Sequence, residues 1–322
     1  MGNKIVFLSD VHLMWENPQS RLDNIVETQF KKLEFVYNFA KKNKAVVCQA
    51  GDLVNKPRSW YLMPLLMKFF GRWNASGVPT YMVRGQHDHY YYSEASSPAT
   101  CVGVLLEAGL LNLVQGAKPI KLELDDVTVN LYGSSFGEKV PEPKKYSPNN
   151  LLLIHREISD TALFAGHKYF SHKGFLKRHK HFKLIVCADI HRKFKARIKG
   201  KSGHERYLVN TGPMLRASAT SYNFDHKPGF YVWDAKNQTL HWKLIPCEDA
   251  DTVLTRAHIE ATERDQRKLA ELSIKLKSKG IKDQDGYTFK GGLDSYMEEH
   301  SVGKDAANII AAALEEVDMN DL

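Results

Sequence analysis

Short, almost unbroken apolar runs recur along the chain, and each stops abruptly on polar side chains. The run at Lys4–Leu8 has the pattern of a central strand buried on both faces, and residues 45–48, 78–83, 151–154 and 184–187 repeat it. Between the first two, residues 21–42 set Ile25, Phe30, Leu33, Val36, Tyr37 and Ala40 on one helical stripe. Strand, helix, strand predicts a parallel sheet with a right-handed crossover, and so an α/β fold. Residues 59–73 are helical in pattern but apolar nearly all round, from Trp60 and Tyr61 to Phe69, Phe70 and Trp73. One sheet face cannot cover that much, so either a second layer packs over the segment or it is a self-association surface.

Residues 107–114 end a helix and start a short strand, and 120–124 with 127–132 read as a hairpin turning at Asp125-Asp126. A loop rich in Ser, Pro, Lys and Gly follows over 133–150, and strands at 206–209, 229–235 and 239–245 close the sheet region. From about residue 248 the composition turns to polar helices, which divides the chain into a domain over 1–248 and a helical extension over 249–322. Within the extension we expect a helix over 255–279, a loop over 280–292 and short helices over 293–300 and 304–317. The last carries Ile309, Ile310, Ala313, Leu314 and Val317 on one stripe, a face suited to docking on the main body or a partner.

With 322 residues, 43% hydrophobic and 25% charged, the chain has the balance of a soluble globular protein. Its four cysteines are far apart, and Cys48 and Cys187 lie inside apolar runs, which fits buried thiols in a reducing compartment. No signal peptide and no membrane-spanning run is evident, so a cytoplasmic protein without membrane contact is expected. The net charge of +8 is uneven. Residues 168–206 hold thirteen Lys or Arg against Asp189 and Glu205, a local +11, whereas five acids against one lysine fill the segment from Lys304. Aromatics interleave with the bases over 167–181, a composition suited to nucleic acid; the plainer reading is a solvated amphipathic helix with Phe170, Phe175 and Leu176 inward.

The chemistry lies where the apolar runs stop. The first ends at Asp10-Val-His12, the second at Gly51-Asp52, the third at Gly85-Gln-His87-Asp88, the fourth at His155 and the fifth at Asp189-Ile-His191. Carboxylate and imidazole are ligands for divalent metals, and in parallel sheets ligands gather at the carboxyl ends of strands. Any one of these residues alone is an ordinary turn residue; their order and recurrence make the pattern.

That pattern resembles the five motifs of calcineurin-like metallophosphoesterases over about residues 4–245. The resemblance implies a β-sandwich flanked by helices in four α/β/β/α layers, with the helical extension appended. It implies two divalent metals, one held by Asp10, His12 and His191, the other by Gln86, His155 and Asp189, with Asp52 bridging. His87 would be the catalytic histidine and Asp88 would orient a neighbour from behind. Arg84 and His89 could contact phosphate or merely flank the turn. The chain departs from the family at Gln86, where Asn is usual, and at Ala188-Asp-Ile-His191, where Gly-His-x-His is usual. These are hard oxygen donors, which favour Mn²⁺, with Mg²⁺ the alternative.

Within the family the build is most similar to SbcD-type DNA repair nucleases of bacteria and phages, on the strength of Asn210-Thr-Gly-Pro-Met-Leu-Arg216, the basic block and the helical tail. This implies DNA as substrate, an SbcC-type SMC-like ATPase as partner and a homodimer through the 59–73 region. Two rivals remain open: a metallophosphatase or small-molecule phosphodiesterase using the same two-metal site, and a non-catalytic DNA-binding scaffold whose metal site has decayed at Gln86 and Asp189.

Overall fold

In a computed structural model, residues 1–91, 93–200, 203–279, 289–304 and 306–311 are described. The strands are β1 (Lys4–Leu8), β2 (Val46–Gln49), β3 (Thr80–Met82), β4 (Asn112–Leu113), β5 (Ile120–Glu123), β6 (Thr128–Ser134), β7 (Asn150–His155), β8 (Ile158–Ser159), β9 (Phe170–Ser171), β10 (Leu184–Ala188), β11 (Phe194–Lys199), β12 (Glu205–Asn210), β13 (Gly229–Asp234) and β14 (Thr239–Leu244). One six-stranded sheet has the order β14-β13-β1-β2-β3-β4, the other β11-β12-β10-β7-β6-β5, and β8 and β9 pair separately.

The apolar runs are continuous because each strand is covered on both sides. On β1, Ile5 and Phe7 face the second sheet and meet Leu151, Leu153, Leu184 and Val186 there. Val6 and Leu8 turn the other way, into a core shared with the helices α1 (Ile25–Lys42), α2 (Met63–Ala75) and α3 (Cys101–Glu107). The outward residues of the second sheet, Leu152, Ile154, Ile185 and Cys187, pack with Phe175 and Leu176 of α4 (His172–Arg178). The result is helices, sheet, sheet, helices, the expected four layers. Phe7 is fully buried between the sheets, and truncating such a side chain to Ala costs about 3–5 kcal/mol.

Helix α1 begins at Asn24, whose side chain accepts from Val26 and Glu27 N–H, and ends in Lys41 and Lys42, which suits the helix dipole. The 59–73 segment is not one helix. Trp60–Leu62 forms a single tight turn and α2 starts at Met63, because Pro64 lacks an N–H and fits only a first helical turn. Met63, Leu66, Phe69, Phe70 and Trp73 are buried in the helical layer, so most of the apolar excess is core, while Trp60, Tyr61 and Met67 stay exposed. The predicted hairpin forms, with Ile120 opposite Leu131 and Leu122 opposite Val129. Phe170 is not turned inward: it lies on β9, half exposed, under the Arg156 guanidinium.

A first compact unit spans Met1–Thr255 and a second Arg256–Leu322. The first includes a short helix α6 (Ala250–Val253), preceded by α5 (Ser221–Asp225); Leu22 N–H donates to Val253 C=O and Thr255 N–H to Ser20 C=O. The second contains α7 (Ala257–Lys279) and α8 (Phe289–Glu299). Helix α8 starts inside the stretch expected to be loop, and residues 280–288 and 312–317 of the predicted tail lie outside the described residues. Among the described residues no helix is long and apolar enough to cross a membrane.

Candidate metal centre

The five strand ends meet on one rim of the sandwich. Parallel pairing sets Leu8 beside Gln49 and Ala188 beside His155, so the turns leaving neighbouring strands are adjacent. A ladder joins the first two: His12 N–H donates to Asp52 C=O (2.9 Å), Leu13 N–H to Leu53 C=O (2.9 Å) and Asn55 N–H to Leu13 C=O (2.9 Å). Asp10 (φ 46°), His12 (φ 47°), Asp52 (φ 55°) and Asp189 (φ 87°) all have left-handed backbone. Such conformations cost about 1–3 kcal/mol each in a non-glycine residue and persist where the surroundings impose them. Gly51 has φ 102°, and a Cβ there would collide with the His155 ring. Gly85 is extended, but a Cβ on it would collide with Asp52 Oδ1 and lie 2.5 Å from Asp52 N and 2.6 Å from His155 Cε1.

Ligand atoms of Asp10, His12, Asp52 and His191 all fall within 4.8 Å of one another. His12 Nε2 faces His191 Nε2 at 2.9 Å, and His191 Nε2 is 3.8 Å from Asp10 Oδ1. Asp52 Oδ2 lies 3.5 Å from His12 Nε2 and 3.5 Å from His155 Nε2, midway between two histidines. That separation is long for a hydrogen bond; neighbouring ligands of one ion with bonds of about 2.1 Å adopt similar spacings. On the His155 side, Gln86 Nε2 donates to Asp189 Oδ1 (2.8 Å). Asp10 Oδ2, Asp52 Oδ2, Gln86 Oε1 and His155 Nε2 are buried without a hydrogen-bond partner. Four orphaned donors of metal-binding type converging on one place fit divalent cations.

Electrostatics say the same. Burial pushes the Asp10 carboxyl up to about 7. Burial, with Asp88 and Asp10 adding repulsion, pushes Asp52 up to about 10. Asp189 is also raised, chiefly by burial. Burial holds His155 down to about 3 and His12 well below its usual range, with His191 lowered too, so the imidazoles are neutral and able to ligate. Without a counter-cation the carboxylates resist ionising; a dication reverses that preference.

His87 lies against this cluster, its ring edge-on to His12 at 4.8 Å between centroids. Its backbone N–H donates to Asp52 Oδ1 (2.8 Å) and its Nδ1 pairs with Asn55 C=O (2.8 Å), which leaves Nε2 uncommitted. Asp88 is fully buried and accepts four backbone N–H groups, from Asp52, Leu53, Val54 and Gly85. It clamps the second and third turns together and is a positioning residue. Arg84 and His89 are buried; Arg84 lines a separate cavity of about 630 Å³ with Glu94, Glu107 and Leu111, away from the ligands.

Other contributors act through roles that were not legible in the sequence, although the 210–216 stretch stands out there. Asn210 at the end of β12 joins the turns that carry Asp10 and His191: its Nδ2 donates to Ile190 C=O (2.7 Å), and its Oδ1 accepts from Ser9 Oγ (3.3 Å) and Gly212 N–H (2.7 Å). Thr211 Oγ1 accepts from Ser9 N–H (3.0 Å). Gln29 and Lys32, both buried on α1, hold Met14 and the Met214 carbonyl. Their one sequence signal is a polar residue on a stripe that is otherwise apolar.

A family model described as calcineurin-like phosphoesterase matches residues 3–193, more than half of the chain. No curated protein shows significant sequence similarity. Among solved structures, one chain is matched over 76% of this chain and 100% of its own length, with 11% identity and a TM-score of 0.43. The 5'-nucleotidase precursor from Thermus thermophilus is matched over 75% of this chain, with 12% identity and a TM-score of 0.40. This chain spans 53% of that protein's length.

Proposed function

We propose an activity for this chain from one premise: it belongs to the calcineurin-like phosphoesterase family. Our reading is a two-metal-dependent phosphodiesterase that hydrolyses DNA, the nuclease subunit of an SbcCD-like complex with an SMC-like ATPase. The observation that carries the DNA assignment is the cationic surface leaving the metal centre. Directly after His191 come Lys193, Lys195, Arg197 and Lys199, all exposed, and Lys168, Lys173, Lys177, Arg178 and Lys180 add to the same block. Exposed Phe136, Phe164 and Phe170 accompany them. Cations for phosphates and rings for bases are the two halves of a nucleic-acid surface. For the partner, the support is the helical second unit, with Leu269, Ile274 and Ile309 exposed.

In this reading Asp10, His12 and His191 would hold one metal and Gln86, His155 and Asp189 the other, with Asp52 a ligand that both could share. Mn²⁺ is favoured by the oxygen donors of Gln86 and Asp189. The metal pair would supply charge that draws phosphate oxygens and acidifies water. His87, held through Nδ1 by Asn55 C=O, donates a proton from Nε2 to the leaving oxygen. Asp88 keeps the Asp52 and Gln86 turns in register, and Asn210 keeps those of Asp10 and His191.

The test is Mn²⁺-dependent cleavage of end-labelled single- and double-stranded DNA, with His87→Ala as control. Cleavage lost in the variant supports the reading. Hydrolysis of bis(p-nitrophenyl) phosphate without DNA cleavage keeps the two-metal site and overturns the DNA substrate. Silence in both assays, with fewer than two metals bound, favours the scaffold.

A further inference from the structure

The two turns that carry His12 and Asp52 do not end at the metal centre. They run on side by side, joined by the Leu13–Leu53 and Leu13–Asn55 hydrogen bonds, and become walls of a cavity of about 450 Å³. One wall is Trp15, on backbone fixed by the Gln29 amide, which accepts from Met14 N–H (2.9 Å) and donates to Met14 C=O (2.8 Å). Tyr61 stacks on that ring to make one aromatic shelf, with Trp60 beside it. Asn55, whose carbonyl holds His87, lines the same cavity.

These rings are not core. Trp15 is 45% exposed, Trp60 50% and Tyr61 76%, and Trp15 and Tyr61 are nearly parallel, at 25° with centroids 5.7 Å apart. Such a cluster on a surface marks a binding site. Charged groups accompany it: Lys56 at the rim, paired with Glu16 (2.6 Å), and Arg58 at 3.6 Å over the Tyr90 ring. The distance is right for a substrate that spans both places, since Trp15 lies three residues beyond His12, at most about 11 Å along an extended chain.

We propose that this cavity binds a nucleobase of the DNA strand whose phosphate sits at the metal centre, and so selects unpaired nucleotides; this rests on the DNA reading above. A base needs about 3.4 Å on each face it stacks. The 5.7 Å gap between Trp15 and Tyr61 is too narrow for insertion, so the base adds to the open face of the pair. Arg58, and Lys56 where a phosphate displaces the Glu16 carboxylate, are then the cations open to the flanking phosphates. A base inside a duplex cannot reach such a platform, which makes single strands and frayed ends the favoured substrates.

The experiment measures anisotropy of labelled oligo-dT and of an abasic strand of equal length, bound to full-length, Mn²⁺-loaded His87→Ala protein so that neither is cut. Stacking is worth about 1–3 kcal/mol per base, so dT should bind roughly 5- to 150-fold more tightly than the abasic strand. Adding Trp15→Ala or Tyr61→Ala should remove that preference, and Trp15→Phe should retain most of it, with unchanged Mn²⁺ content showing that the fold is intact. Equal binding of the two strands overturns the pocket, even if the wild-type protein cleaves DNA. A preference that survives both Ala variants also overturns it. So does a loss of dimers in those variants without change in DNA binding, which assigns the rings to self-association. Base preference without cleavage by the wild-type protein would instead overturn the nuclease reading and leave the pocket standing.

Discussion

Gly85→Ala is a one-carbon change at the crowded point of the metal centre, and its effect follows from distances. Gly85 has φ −97°, so alanine has no torsional objection there. The objection is space. The new Cβ would overlap Asp52 Oδ1 most deeply and would lie 2.5 Å from Asp52 N and 2.6 Å from His155 Cε1, where ordinary contact begins near 3.4 Å. One or both turns must move by about 1.3 Å to clear the Asp52 carboxylate, and overpacking of this kind costs about 1–3 kcal/mol. The atoms that move are the proposed bridging carboxylate and a proposed ligand, so activity should suffer more than stability. A displacement near 1 Å costs about 10²-fold in rate. Gly77→Ala is the matched control: Gly77 has φ +77° and nothing within 4 Å of the added carbon, so alanine there costs about 1–2 kcal/mol of backbone strain and touches no site residue. Thermal melts, Mn²⁺ content and diester hydrolysis of both variants read the outcome. We expect similar losses of stability, with metal binding and turnover lost at Gly85→Ala alone. Wild-type turnover in Gly85→Ala, or equal loss of turnover in both, would refute the reasoning.

Further expectations follow from the same contacts. Asn210→Ala strips acceptor and donor from two metal-binding turns, and should lower metal affinity about 10- to 100-fold, as read by Mn²⁺ titration; an unchanged affinity would make the amide merely structural. In metal-stripped protein the raised Asp52 carboxyl favours the folded state fully below pH 4, and this is lost as pH climbs towards 10. Histidines, Asp10 and Lys32, lowered by burial to about 8, also titrate between pH 6.5 and 8, so the quantity to follow is the stability of wild type minus that of Asp52→Asn, in which those groups cancel; this difference should fall by about 2 kcal/mol over the window. Denaturant titrations of both proteins in EDTA in which that difference stays flat or rises would contradict it. Deleting residues 293–317 should spare diester hydrolysis and abolish co-purification with the ATPase; a complex that survives the deletion removes the tail from the interface.

The layered fold was legible because each central strand is apolar on both faces and stops on polar residues, and those stops coincide with a single rim. The structure gathers Asp10, His12, Asp52 and His191 there, with Gln86, His155 and Asp189 beside them, as the strand-end rule for parallel sheets requires. What periodicity could not deliver is local. Pro64 sets the start of α2, so an apolar count over 59–73 overstates the helix and hides the separate exposure of Trp60 and Tyr61. Phe170 looked inward by helical spacing but sits on a two-residue strand, where the spacing rule has no purchase. Asn210, Gln29 and Lys32 act on partners distant in sequence, and no local pattern carries that information. Asp88 was legible as a residue but not as a clamp, because its four donors are backbone groups.

The central claim is that these strand ends form one two-metal site sharing the Asp52 carboxylate. Its most direct test is electron paramagnetic resonance of the protein titrated with Mn²⁺, alongside metal content per chain. Two Mn²⁺ per chain with the spectrum of a coupled pair are expected, with the coupled signal lost in Asp52→Asn. A single bound ion at saturation, or two uncoupled ions, would contradict it.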